Sequence, residues 1–101
     1  MDHARLIVQH ADERRSYVTR HIAGETLIVP VTGRVMDLDA IYVLNPVASR
    51  IWDLLRAPTT SERIADTIAS EFDVSVETAT SDVVEFVESL RSRGLVADAS
   101  A

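Results

Sequence analysis

The sequence predicts a small α+β domain in which three short antiparallel strands precede three helices. Three observations carry that prediction. Residues 17–44 alternate between apolar and polar positions, with turn residues between the runs, as half-buried strands do. From Pro46 onward the apolar residues recur at three- and four-residue spacings, the period of an amphipathic helix. The period changes within three residues, because Ile41 to Leu44 is a β-branched, aromatic and aliphatic run, whereas Asn45 and Pro46 are an N-cap and a first helical residue. At 101 residues the chain suffices for one core and is short for two.

In chain order, residues 1–16 mix the apolar group Leu6 to Val8 with the charged run Asp12 to Arg15 without a clean period, and are expected as a loose arm. Tyr17 to Ala23 and Thr26 to Val29 are expected to form a hairpin through Gly24 and Glu25. Pro30 cannot donate to a ladder and is expected to end the second strand, leaving Val31 to Asp39 as a loop before the third strand, Ile41 to Leu44. The first helix is expected from Pro46 to about Arg56, with Ala48, Trp52 and Leu55 on its inner side, and Pro58 stops it. Thr59 and Glu62 stand in the relation of a capping box and open a second helix with Ile64, Ala65, Ile68, Ala69 and Phe72 as its stripe. Ser75 caps a third helix, Val76 to Arg93, which Gly94 ends. Residues 17–96 form the expected domain, and 97–101 an expected frayed tail.

Composition narrows the function classes. With 47% hydrophobic and 26% charged residues the chain is that of a globular protein. It has no cysteine, which excludes disulfides, thiolate nucleophiles and thiolate metal sites, and it fits a reducing, cytoplasmic setting. No apolar run approaches the roughly 20 residues of a membrane span, and no signal peptide is expected. The net charge of −6, with arginine as the only basic side chain apart from histidine, argues against nucleic acid, whose non-specific affinity comes from neutralising phosphates.

Nothing in the sequence spells out catalysis or a cofactor. His3, His10 and His21 form no i, i+4 pair and are expected at the surface rather than on a metal. Glu71, Asp73, Glu77, Asp82, Glu85 and Glu88 read as a solvated acidic face rather than a catalytic pair. Two helices after a small sheet do raise a winged helix-turn-helix, the alternative being a nucleic-acid-binding regulator. Against it, no arginine stands between Ile64 and Leu90, and neither Asn nor Gln follows Asn45, so the usual readers of base edges are missing. Two features outlast a closed core. The sheet has edges that no lysine guards. Val84 sits beside the apolar stripe of the third helix and either packs on a neighbouring element or lines a groove against the sheet edge.

The succession of a hairpin, Asp37 to Asn45, Ala48 with Ile51 and Trp52, a Thr-x-x-Glu helix, Phe72 to Val74, and a final helix closing on Gly94, Leu95 and Val96 resembles the PqqD family over about Tyr17 to Val96. The resemblance implies a winged-helix-like fold without catalytic residues or cofactor. It also implies a peptide chaperone that binds the leader of a ribosomally made precursor and hands it to a modifying enzyme, either a radical S-adenosylmethionine enzyme or a leader peptidase. The leader would add as a strand beside the third strand, against the third helix, so the implied peptide-binding residues are Ile41, Tyr42, Val43, Leu44, Val84, Val87 and Arg91. A free edge that pairs with itself, giving a homodimer, is a further expectation.

Overall fold

The structure is a computed structural model that describes residues 3–11, 17–23, 25–32, 35–36 and 41–99. The elements are β1 (Ile7–His10), β2 (Tyr17–Ile22), β3 (Glu25–Thr32), β4 (Val35–Met36), β5 (Tyr42–Leu44), α1 (Pro46–Leu54), β6 (Thr59–Thr60), α2 (Ser61–Phe72), α3 (Val76–Ser92) and β7 (Val96–Asp98), after a single 3-10 turn at His3–Arg5. The main sheet is antiparallel. β3 is its centre, β2 pairs along one side, and β5 and β4 share the other. This sheet and three helices make the expected α+β, winged-helix-like fold, and the expected third strand is β5, shorter by Ile41.

Pro30 does not end its strand. β3 continues to Thr32, and Val31 and Thr32 pair with β4 inside the expected loop. Pro30 faces Tyr17 on the last rung of the β2 ladder, and on the other side it lies between the pairings of Ile28 with β5 and Val31 with β4. A missing donor interrupts little at such a place. Gly33 and the residues 37–40 of the expected loop lie outside the described residues.

The expected loose arm contains a strand. β1 is the middle of a second, three-stranded antiparallel sheet, between β6 and β7. Val8 is 1% exposed, and the His10 and Ala11 amides donate to the carbonyls of Leu55 and Leu95 at 2.9 and 3.0 Å. The same sheet corrects the tail, since Ala97 and Asp98 pair with Gln9 and Val8 rather than fraying. Residues 12–16 of the arm lie outside the described residues.

Helix boundaries follow their caps. Asn45 Oδ1 accepts from the Ala48 amide at 2.8 Å, and Ser75 Oγ accepts from Thr78 at 3.1 Å. The cap of α2 is Thr60, not Thr59: Thr60 Oγ1 accepts from Arg63 at 3.1 Å, while Thr59 pairs with Val8. No capping box closes there, because Glu62 is one position early and meets Arg5 at 3.5 Å instead. Asp73 takes a left-handed conformation, φ 54°, at the end of α2, and Gly94 does so after α3, φ 76°.

One core joins both sheets and all three helices: Ile28 and Leu44 from the main sheet, Val8 and Val96 from the small one, Trp52, Ile64, Val83 and Leu90 from the helices, and Leu55 from the C-cap of α1. Trp52, 2% exposed, stacks on His10 with ring centroids 3.8 Å apart and meets Tyr17 edge-on at 5.1 Å. This is a core role, as its position with Ala48 and Leu55 predicts.

Candidate functional site

β5 pairs with β3 on one side only, so among the described residues its other side is an open edge. Its side chains alternate as a strand on the rim of a core must. Leu44 is buried opposite Thr26, Tyr42 is half-buried opposite Ile28, and Val43 points away, 61% exposed. Ile41, just before the strand, is exposed as well. The Asn45 cap and Pro46 turn the chain into α1, and the Ser49 hydroxyl donates back to the Leu44 carbonyl at 3.2 Å. β5 is thereby short, fixed at its end and apolar.

The C-terminal end of α3 meets this strand. The Arg93 guanidinium at its C-cap lies over the Tyr42 ring, 5.5 Å from the centroid, a cation–π contact that ties helix end to strand start. Among the described residues the buried Tyr42 hydroxyl has no hydrogen-bond partner. Toward the other end of α3, a cavity of about 130 Å³ is lined by Val47 and Ile51 of α1, Ile68 and Phe72 of α2, Val74, and Ala79, Asp82 and Val83 of α3. Val47 follows β5 by three residues, so the cavity is lined by the helix that β5 leads into, with Asp82 on its α3 side.

The expected residues divide accordingly. Ile41 to Leu44 stand at the edge, with Leu44 turned into the core. Val87, at 1% exposure, is a core residue and offers no surface. Arg91 points to the opposite flank of α3, where its Nη2 meets Asp98 Oδ2 of β7 at 2.8 Å and its Nη1 lies near Glu88 at 3.4 Å. The hydrogen bond to Asp98 also raises its pKa. At 100° per residue, Val84 falls within about 20° of Arg91, on the flank that carries the β7 contact rather than on that of β5. The flank beside β5 instead carries Asp82, Phe86, Ser89 and Arg93, spaced i, i+4, i+7, i+11. That spacing was present in the sequence; which flank meets the strand was not.

A larger cavity, about 480 Å³, lies elsewhere, between β2 and the β1–α1 side, lined by Gln9, His10, Thr19, His21 and Arg56 around the Tyr17 and Trp52 rings. Its histidines are engaged: His10 Nε2 lies 2.6 Å from the Trp52 carbonyl, and His21 Nδ1 3.2 Å from Thr26 Oγ1. Among the described residues no group of three His, Asp or Glu side chains is placed to hold a metal ion, and no helix is long and apolar enough to cross a membrane.

Comparison with known proteins decides the family. The family model for coenzyme PQQ synthesis protein D (PqqD) matches residues 33–96, well over half of the chain. The chain belongs to the PqqD family. The PqqD match takes in the whole candidate site, from before β5 to the end of α3, and leaves β1 to β3 outside it. One solved structure with the same fold is the solution NMR structure of the PqqD truncation of Methylobacterium extorquens PqqCD, which represents a functional and stand-alone RiPP (ribosomally synthesised and post-translationally modified peptide) recognition element. It is 12% identical, with a TM-score of 0.64 over 96% of this chain and 99% of that one. No curated protein matches.

Proposed function

We propose that this chain is a non-catalytic peptide-recognition protein. It binds the leader segment of a ribosomally made precursor by strand addition at β5 and presents it to a modifying enzyme. The observation that carries this is the open β5 edge, followed directly by a helix that lines an apolar cavity against α3. An extended peptide meets an open edge through backbone hydrogen bonds that any sequence can make, and pockets for alternate side chains supply selectivity. Val43 and Ile41 give apolar cover along the edge, and the 130 Å³ cavity takes one inward-facing apolar side chain of the peptide. Membership in the PqqD family and the shared fold with a RiPP recognition element support the same function.

The partner that modifies the peptide is a separate enzyme, a radical S-adenosylmethionine enzyme or a leader peptidase, a reading that the family membership supports. A surface with net charge −6 disfavours the nucleic-acid-binding alternative. The test is calorimetric titration with synthetic peptides from short reading frames beside the chain's gene, alongside a duplex DNA control at low salt. Saturable one-to-one peptide binding without DNA binding is expected. DNA binding without peptide binding would overturn the proposal.

A further inference from the structure

We infer that the groove beside β5 reads the order of charges in its peptide, a basic residue followed four or six positions later by an acidic one. This rests on the peptide-binding function proposed above and adds the chemistry of the partner. Asp82 and Arg93 are both exposed, and among the described residues neither has an ion-pair partner. They project from the same flank of α3, since eleven residues at 100° bring Arg93 within about 20° of Asp82. The rise between them is about 16 Å. An extended chain covers that distance in about five residues, and side chains facing one way repeat every two, which gives four or six.

Direction follows from topology. Arg93 stands over Tyr42, the first residue of β5, and Asp82 lines the cavity that Val47 enters just past its end. β5 therefore runs from the arginine end to the aspartate end. Every pairing in the main sheet is antiparallel, and an added strand that continues the pattern runs the other way. Its N-terminal part meets Asp82 and its C-terminal part meets Arg93. The peptide is thus basic first, apolar between, and acidic last, with its apolar side chain entering the cavity next to Asp82.

The experiment pans a display library of random twelve-residue peptides against the full chain and against the double variant Asp82→Arg, Arg93→Glu. Both positions are exposed, and the milder Asp82→Asn and Arg93→Gln variants serve as a second set whose fold is checked by circular dichroism. Peptides enriched on the parent should carry the basic-to-acidic order, and those enriched on the double variant the reverse. Each neutral variant should weaken a selected peptide about two- to fivefold, less so at high salt. Peptides that bind and shift the β5 amides but show no charge order, or bind parent and double variant equally, would overturn the charge rule and leave the peptide-binding function standing. Failure of any peptide to bind, or binding that leaves β5 unshifted, would overturn both.

Discussion

At the scale of single residues, Trp52 fills the core, Asn45 caps the strand-to-helix junction, and one ion pair ties α1 to α2. Trp52 is closed off by His10 and Tyr17, so Trp52→Ala should destabilise by about 3 to 5 kcal/mol in urea denaturation. A variant with the parent's midpoint would mean the ring is not core. Asn45→Ala removes the acceptor for the Ala48 amide and should cost about 1 kcal/mol, read as a lower melting temperature. Between α1 and α2, Arg50 donates to both oxygens of Glu71, from Nε at 2.9 Å and Nη2 at 3.0 Å. That hydrogen bonding holds the Glu71 carboxyl below its ordinary range. As pH falls the unfolded chain takes up this proton before the folded one. The pair's contribution is therefore complete above the ordinary glutamate range and is lost as pH drops through it to the depressed value. Melting curves of Glu71→Gln and the parent should differ at neutral pH and converge in acid, and a difference that persists unchanged in acid would assign it to something other than this charge.

At the scale of elements, most of the helical half was legible and part of the strand half was not. Asn45 with Pro46, Ser75 and Gly94 are local signals, each satisfied within a few residues, and the structure uses all three where the sequence places them. β1 has no such signal. Ile7 to His10 becomes a strand because Thr59 and Thr60 on one side and Val96 to Asp98 on the other pair with it, partners about 50 and 90 residues away that local periodicity cannot reveal. The spacing to Glu62 favours Thr59 as the cap in sequence, but Thr59 pairs with β1 and Thr60 caps the helix. The flank of α3 was equally hidden: Val84 with Arg91 and Phe86 with Arg93 each set an apolar residue seven positions before an arginine, and only the packing of β5 and β7 chooses between them. The element most changed by the structure gives the sharpest test. Val8→Ala should cost about 2 kcal/mol in denaturant unfolding, from lost burial and the cavity left behind, whereas a residue in a loose arm would cost almost nothing.

At the scale of the whole molecule, two small sheets and three helices share one core and, among the described residues, leave the side of β5 away from β3 open. The net charge is −6, and Asp82 and Arg93 stand exposed on one flank of α3. The central claim, that an extended peptide adds at this edge, is tested most directly by amide hydrogen exchange with and without a saturating peptide. The amides of Tyr42, Val43 and Leu44 that do not pair with β3 should gain protection, together with slower exchange along α3 near Phe86 to Arg93. Protection confined to β2, or to the Arg91 and Asp98 flank, with β5 unchanged, would contradict it.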